Sequence, residues 1–202
     1  MYAIARLSNE QRTQIFNRYV YDFGGNIDIV EKDFWVTLML DYLFNKSEFK
    51  GYFVFKGGTS LSKCFNIIDR FSEDIDLIIK WNFLTEDNIY NDRSKTKQDI
   101  FNKNMNVLAA EFIKNKMLPV LIKDFEILLG KKPIFTIEEE NPQVLNFSYP
   151  RVSDKNESNI LKNIRLEIGP LAALSPTEEV TISPLIAKMN LPLMKNVSTI
   201  IE

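Results

Sequence analysis

One segment of the sequence, FKGGTSLSKCFNIIDRFSEDIDLII from Phe55 to Ile79, limits the folds that are open to this chain. A β-rich run ends at two glycines, a short amphipathic stretch follows, and the segment closes on an alternating apolar run. This pattern predicts a strand, a glycine turn into a short helix, and a second strand. Asp74 and Asp76 are two residues apart, so on a strand both side chains point to the same face.

Two helices are predicted ahead of this segment. Ser8 and Gln11 have the spacing of a capping box, and the helix they start ends before Gly24. Asp28 is predicted to cap a second helix, whose apolar and aromatic density down to about Phe44 is typical of a buried packing element.

Helical and strand patterns alternate in the rest of the chain. A helical pattern from about Asp92 to Gly130 contains Pro119, which predicts a break or kink near Leu118 and therefore two helices. The runs PIFTIEE, VLNFSYP and NIRLEIG then read as three further strands. In the last of them, Arg165 and Glu167 share the polar face. The expected fold is α+β, with a mixed sheet flanked by helices.

The composition excludes several kinds of site. The chain has no histidine, which removes Ser-His-Asp and Cys-His nucleophile systems and every histidine-ligated metal site. Its single cysteine, Cys64, excludes an internal disulfide and is consistent with a reducing compartment. Neither a signal peptide nor a membrane-spanning stretch is recognisable, so we expect a cytoplasmic protein without a membrane partner.

The glycine turn and the two aspartates together indicate phosphate and metal chemistry. Glycines let the backbone approach a phosphate closely, and Thr59 and Ser60 add hydroxyls at the same place. Two carboxylates side by side call for a cation, and Mg²⁺ prefers oxygen ligands. Taken singly, each feature also has a structural explanation: a turn required for packing, or a solvated acidic edge strand.

The sequence resembles a known family at these residues. Lys56 to Lys63 (KGGTSLSK) and Arg70 to Leu77 (RFSEDIDL) are similar to the first signature of the polymerase-β-type nucleotidyltransferase superfamily, and specifically to the AbiEii/AbiGii toxin nucleotidyltransferases. The runs VEKDFWVTLML and IRLEIG also resemble family features. The resemblance implies a nucleotidyltransferase core with Asp74, Asp76 and Glu167 as catalytic carboxylates that bind Mg²⁺.

The resemblance also implies a nucleotide-binding set. Its members follow the first predicted strand or precede the second: Gly57, Gly58, Thr59, Ser60, Lys63, Arg70 and Ser72. A further phosphate-binding cation remains open among Arg151, Lys162 and Arg165, of which Arg165 is favoured because it shares a face with Glu167. For Lys63, an exposed helix lysine without such a role is an equal alternative.

A toxin that moves an NMP from an NTP to an acceptor hydroxyl is the function that the resemblance implies. It would belong to a bacterial toxin-antitoxin or phage-defence system with a cognate antitoxin, and the 3′ end of tRNA is the favoured acceptor. Nine basic against four acidic residues between Arg93 and Lys132 suit an RNA partner, although a solvated lysine-rich surface explains them as well. A protein or small-molecule hydroxyl as acceptor, and an inactive nucleotide-binding module, are the alternatives.

Three regions are expected along the chain. Residues 1–50 form N-terminal helices that pack on the core, residues 51–185 form the nucleotidyltransferase core, and residues 186–202 begin a C-terminal region. Because longer members of the family continue into a helical part, we expect that part to be incomplete here.

Overall fold

The computed structural model describes most of the chain. The described ranges are residues 1–65, 74–152, 163–171 and 176–190, with the backbone alone of 199–201. Three residues of the predicted site, Arg70, Ser72 and Lys162, lie outside the described residues.

Six α-helices occur in the described residues. They are α1 (Tyr2–Ala5), α2 (Asn9–Phe23), α3 (Ile27–Asp41), α4 (Gly57–Lys63), α5 (Lys95–Phe112) and α6 (Leu118–Leu129). Shorter helical pieces accompany them: π-helical turns at Tyr42–Lys46 and Ile113–Met117, and 3₁₀ turns at Trp81–Phe83 and Leu185–Met189.

A five-stranded mixed sheet forms the centre of the fold. Its strands are β1 (Phe53–Lys56), β2 (Asp74–Ile79), β3 (Ile134–Ile137), β4 (Val144–Ser148) and β5 (Ile164–Gly169), in the order β1-β2-β5-β4-β3. Only the β2–β5 pair is parallel, and the other three pairs are antiparallel. The predicted α+β fold with a mixed sheet flanked by helices is confirmed, and each predicted strand is present within two residues of its expected bounds.

The starts of α2 and α3 differ in how well they could be predicted. Ser8 and Gln11 form the predicted capping box, with Gln11 N–H donating to Ser8 Oγ at 3.3 Å and Ser8 N–H donating to Gln11 Oε1 at 3.0 Å. The predicted cap of α3 at Asp28 is wrong. Asn26 caps this helix, and its Oδ1 accepts from the Asp28 N–H at 2.7 Å, so Asp28 lies in the first turn.

The two faces of the sheet have different characters. Ile75, Leu77 and Ile79 of β2 are completely buried, whereas Asp74 and Asp76 point to the other, partly accessible face. Helices pack on the apolar face: the Phe125 ring of α6 lies 5.0 Å from the Phe147 ring of β4, and the Phe112 ring of α5 lies 6.5 Å from the Phe53 ring of β1. The buried helix α3 joins the same core.

The lysine-rich segment lies on the helices of that apolar side. Pro119 stands at the start of α6, directly after the π-helical turn, so the expected irregularity is present near Leu118 but the chain remains helical from Lys95 to Leu129 and is not broken there. Most lysines between Arg93 and Lys132 are exposed. They therefore project from helices that cover the opposite side of the sheet from Asp74 and Asp76.

The last described part of the chain contains a small element that the sequence did not predict. Strand β6 (Val180–Ile182) pairs antiparallel with β7 (Thr199–Ile201), and the 3₁₀ turn Leu185–Met189 follows β6 in the chain. Across the described ranges, no helix combines the length and the apolar character that crossing a bilayer requires.

Candidate active site

The pairing of β2 with β5 brings the predicted carboxylates together. In this parallel register Asp76 is the partner of Glu167, and Asp74 is the partner of Arg165. Neighbouring strands lie about 4.8 Å apart, so side chains that share a face at paired positions are close neighbours. Because Glu167 and Arg165 alternate with the buried Leu166, they share the face that carries the two aspartates.

Arg165 is the cation at the centre of this acidic face. Its Nη1 donates to Glu167 Oε2 at 2.9 Å and lies 3.7 Å from Asp74 Oδ2, while its Nε donates to Glu138 Oε1 at 3.1 Å. Glu138 also accepts from Asn146 Nδ2 at 3.1 Å, which holds its carboxylate beside β4. One guanidinium thus neutralises part of the charge of three carboxylates.

The charge on this face remains high around Asp76. Burial raises the pKa of Asp76, and the nearby Glu167 and Asp74 carboxylates raise it further. The positive charges of Lys56 and Arg165 act in the opposite direction but do not cancel the effect. A carboxylate in these surroundings gains from an additional cation.

The glycine turn lies directly against Asp76. Gly57 is the first residue of α4, follows β1 without a linker, and has a φ of +81°. A Cβ atom on Gly57 would come within 2.6 Å of the carboxyl carbon of Asp76. Both the backbone conformation and the space therefore require glycine at this position.

The hydroxyls of the turn are committed to local hydrogen bonds. Thr59 Oγ1 donates to the main-chain oxygen of Asp74, which fastens α4 to the start of β2. Ser60 Oγ donates to the carbonyl oxygen of Gly57 at 2.8 Å, and both side chains are buried. In this structure the two residues fix the shape of the turn beside the carboxylates.

Lys63 contacts α3. Its Nζ lies 2.5 Å from Asp33 Oδ1, and both side chains are about nine-tenths buried, with exposed fractions of 10% and 11%. Asp33 also accepts from the Leu185 N–H at 2.6 Å, so this carboxylate connects α3, α4 and the segment after β6. The alternative of an exposed helix lysine is wrong, because Lys63 is held in a buried ion pair.

The three candidate cations occupy different places. Arg165 lies among the carboxylates, as favoured, whereas Arg151 Nη2 lies 3.4 Å from Asp28 Oδ1 at the start of α3. The third candidate, Lys162, lies outside the described residues.

The donor set of Asp74, Asp76 and Glu167 fits Mg²⁺ in its chemistry. All three groups offer carboxylate oxygens from one face of two adjacent strands, and the raised pKa of Asp76, caused first by burial and then by the neighbouring carboxylates, shows that its ionised form would gain from a cation. Among the described residues, however, no three carboxylates are already placed to hold an ion. The oxygens would have to converge on the ion, and the Arg165 contacts with Asp74 and Glu167 would have to loosen.

Comparison with known proteins places this site in a family. The family model described as Nucleotidyl transferase AbiEii toxin, Type IV TA system, matches residues 39–202, from within α3 to the last residue. The chain belongs to the AbiEii family. Every residue of the glycine turn and all three carboxylates lie inside the match. A search of curated proteins and a search of solved structures found no match.

AbiEii membership confirms the family that the glycine turn and the aspartates indicated. It makes the chain a nucleotidyltransferase and assigns it to the toxins of type IV toxin-antitoxin systems. The family therefore implies an NTP substrate and an antitoxin partner.

Some residues of this AbiEii site were not found by sequence reasoning. Lys56 pairs with Asp76 across β1 and β2, and Glu138 meets Arg165 from the end of β3. Lys56 was recognisable, since it shares a face with Asp76 once the two strands are paired. Asp33 also had a signal: it lies in a helix whose apolar and aromatic density predicts burial, and a buried charge needs a partner. No pattern in the sequence indicated Glu138.

Proposed function

We propose that this AbiEii protein is a Mg²⁺-dependent nucleotidyltransferase that moves an NMP from an NTP to the hydroxyl at the 3′ end of tRNA. The observation that supports it best is the register of β2 and β5, in which Asp76 faces Glu167 beside Asp74, next to a turn whose glycine abuts Asp76. A bacterial cytoplasm supplies both the nucleotide and this acceptor, and we place the protein there.

Asp74, Asp76 and Glu167 would hold the metal ions, which supply charge neutralisation at the reacting phosphate and at pyrophosphate. The acceptor oxygen forms a bond to the α-phosphorus, and the bond to the bridging oxygen of the β-phosphate breaks. Pyrophosphate leaves, and Glu167 takes the proton of the acceptor hydroxyl. Arg165 donates to Glu167 Oε2 and so holds this carboxylate in place on the face that carries Asp74 and Asp76.

The nucleotide would lie along the glycine turn. We propose that Gly57, Gly58, Thr59 and Ser60 line the phosphates, and that Arg70 and Ser72, which precede β2 in the sequence, also bind the nucleotide. Lys63 would support this arrangement through its contact with Asp33, which holds α4 in position. Positioning of the phosphates against the carboxylates then provides most of the rate enhancement.

The accessibility of the carboxylates supports a macromolecular acceptor. The side chains of Asp74 and Glu167 are 39% and 46% exposed, so the end of a large molecule can reach them. The lysines of α5 and α6 project from the other side of the sheet, and an acceptor that contacts both regions has to extend well beyond the active site. A tRNA has that size, whereas a small molecule does not.

The test is a labelling experiment with a matched control. The protein is incubated with Mg²⁺, each α-labelled NTP in turn, and total bacterial RNA, in parallel with Asp74→Asn/Asp76→Asn and with Asp99→Asn, which changes an exposed carboxylate on α5. We expect label in a tRNA-sized band with the wild type and with Asp99→Asn only. Purified tRNA whose 3′ end has been oxidised by periodate is expected to accept none.

Other outcomes would redirect the assignment. Label in protein, or in a small molecule when cell extract replaces RNA, would support the alternative acceptors. Binding of Mg²⁺-NTP without label in any fraction would support the inactive nucleotide-binding module. Label in periodate-oxidised tRNA would contradict the 3′ hydroxyl as the site of transfer.

A further inference from the structure

A cavity of about 580 Å³ opens beside the glycine turn. Val54 of β1 and Ile78 of β2 form its floor, and these two residues are partners in the antiparallel register. Pockets for small molecules have volumes of about 300 to 1,000 Å³, so this cavity can enclose a ligand group rather than a single ion.

The floor of the cavity lies on the face of the sheet that carries the carboxylates. Ile78 follows Asp76 by two residues on β2, and Val54 precedes Lys56 by two on β1, so all four side chains point to one side. Two residues of a strand span roughly 7 Å. The cavity therefore begins one side chain away from Asp76 and is continuous with the candidate active site through Lys56 and Gly57, which line it.

The walls of the cavity are largely apolar and include an accessible aromatic ring. Leu61, Cys64 and Phe65 line it from α4 and the residues just after it, and Pro176 closes it from the segment before β6. Phe65 is 43% exposed, so its ring is available to a ligand. An exposed aromatic side chain in an apolar recess can stack with a flat ring system.

Among the described residues that line the cavity, the polar side chains are Lys56 and Ser60 at the glycine turn, and Thr177 and Glu178 in the segment before β6. Lys56 and Ser60 lie at the end next to Asp76, and Glu178 lies on the rim formed by the segment before β6. A ligand that fits this arrangement presents the face of a flat ring system to the apolar walls, carries phosphate at the end near Lys56, and has hydrogen-bonding groups on the edge of its ring. A nucleotide has these properties.

We propose that this cavity binds the nucleoside part of a substrate, with the base against Phe65 and its phosphate at the Lys56 end. The proposal rests on the proposed function, since it assigns a place to the base of a nucleotide whose phosphate reacts at Asp74 and Asp76. Two substrates carry this chemistry: the incoming NTP, and the terminal nucleotide of the RNA acceptor.

The first test fills the cavity and compares three ligands. Leu61→Trp replaces an aliphatic side chain that lines the cavity and is 39% exposed by a larger, aromatic one. The control, Ile127→Trp, introduces the same indole ring at an exposed position on α6, away from the cavity. With Mg²⁺ present, equilibrium binding is measured for an NTP, for inorganic tripolyphosphate, and for a short RNA that ends in a 3′ hydroxyl. Thermal unfolding establishes that both variants fold.

Each source of the nucleoside gives its own result. If the cavity takes the base of the NTP, Leu61→Trp weakens NTP binding by roughly tenfold or more, as expected for a lost stacking contact, and leaves tripolyphosphate unchanged. If it takes the acceptor end, the RNA alone is weakened. If Leu61→Trp bound each of the three ligands as tightly as Ile127→Trp and the wild type do, the proposal would be overturned.

A second test uses the unmodified chain and does not depend on a variant. Cys64 is the only cysteine and lines the cavity, so alkylation adds a single label at a known position. Burial raises the pKa of the Cys64 thiol to about 11, and the reaction is therefore followed at a fixed pH near 9. NTP or RNA bound in the cavity should slow the alkylation, and tripolyphosphate should not.

The two tests separate this proposal from the function on which it rests. If the wild type bound neither NTP nor tripolyphosphate, the proposed nucleotidyl transfer would be rejected. The RNA-binding and Cys64-alkylation measurements would still show whether the cavity binds a nucleoside. If tripolyphosphate and NTP bound equally well to every variant and Cys64 reacted at an unchanged rate, the nucleoside site would fail while the phosphate and metal site remained.

Discussion

Gly57 and Asp76 occupy positions that depend on each other: a side chain on Gly57 would enter the space of the Asp76 carboxyl group. The glycine begins α4 and the aspartate lies on β2, so the contact sets the distance between the turn and the catalytic face. Gly57 therefore has two reasons to be glycine: its φ is positive, and its backbone lies close to the Asp76 carboxylate.

Replacement of Gly57 by alanine should therefore damage the site more than the fold. Gly51 is the matched control, because it has nearly the same φ, +85°, and nothing within 4 Å of an added Cβ. We expect Gly51→Ala to lower the free energy of unfolding by about 1–2 kcal/mol through backbone strain alone. Gly57→Ala adds the collision with Asp76.

The measurement is nucleotidyl transfer beside thermal unfolding. A carboxylate displaced by about 1 Å can reduce the rate by roughly a hundredfold, and we expect a loss of that size for Gly57→Ala, with near-normal transfer by Gly51→Ala. Similar transfer rates for the two variants at equal stability would show that the contact between Gly57 and Asp76 has no role in the reaction.

The ion pair between Lys63 and Asp33 provides a second prediction. Removing one partner leaves the other charged and buried, so Lys63→Met should lower the free energy of unfolding by about 3–5 kcal/mol. The double variant Asp33→Asn/Lys63→Met removes both charges and keeps an oxygen that can accept from the Leu185 N–H. We expect it to regain most of the stability, as measured by denaturant unfolding.

The same variants distinguish a positioning role of Lys63 from a contact with phosphate. If Lys63 acts by holding α4, the stable double variant should bind an NTP as tightly as the wild type. Weaker NTP binding by a double variant of normal stability would instead indicate that Lys63 reaches the phosphates, as the family resemblance implies.

The sequence predicted those parts of the fold and the site that depend on local patterns. The capping box at Ser8, the helix irregularity next to Pro119 and the strand carrying Asp74 and Asp76 each follow from a few adjacent residues. The shared face of Arg165 and Glu167 follows from strand alternation. Family membership then supplied the meaning of the glycine turn.

What the sequence did not predict depends on contacts between distant segments. Glu138 meets Arg165 only because β3 and β4 fold back beside β5, and Asp33 meets Lys63 across 30 positions of the chain. The cap of α3 is Asn26 and not Asp28, and since both residue types suit this position, the sequence pattern alone did not distinguish them. The pairing of β6 with β7 had no local signal strong enough to predict it.

Arg165 provides a third prediction, about the response to metal. Arg165→Gln removes the cation shared by Asp74 and Glu167 but keeps an amide that can donate to Glu138. We expect a lower unfolding temperature without divalent ions and a larger increase on adding Mg²⁺ than the wild type shows, because the uncompensated carboxylates gain more from the ion. Differential scanning fluorimetry over a Mg²⁺ titration measures both effects.

The control for Arg165 is Arg18→Gln. Arg18 pairs with Asp22 at 2.6 Å on the surface of α2, and its side chain is 65% exposed, so its loss should change neither stability nor the Mg²⁺ response appreciably. Identical Mg²⁺ shifts for Arg165→Gln and the wild type would contradict a competition between the guanidinium and a metal at these carboxylates.

Glu31 provides the last prediction, because it gives the fold a pH dependence near neutrality. Burial raises the pKa of Glu31 to about 7, although the Val152 N–H, which donates to it at 2.9 Å, and the charges of Arg12 and Arg151 oppose the shift. A carboxylate whose pKa is raised in the folded state stabilises the fold below its unfolded pKa, near 4.5, and that contribution is lost as the pH rises to about 7.

The chain has no histidine, but burial also raises the pKa of Asp76 and lowers that of the Met1 amino group, so the contribution of Glu31 is isolated by comparing the wild type with Glu31→Gln between pH 5 and 8. We expect the unfolding temperature of the wild type to fall with rising pH, and that of Glu31→Gln, which can still accept from Val152, to fall less. Each kcal/mol moves the unfolding temperature of a domain of this size by roughly 2–4 °C, so a difference of several degrees at pH 8 is measurable. The exposed Glu111→Gln should follow the wild type. Parallel curves for Glu31→Gln and the wild type would mean that the two arginines keep Glu31 ionised across the whole range.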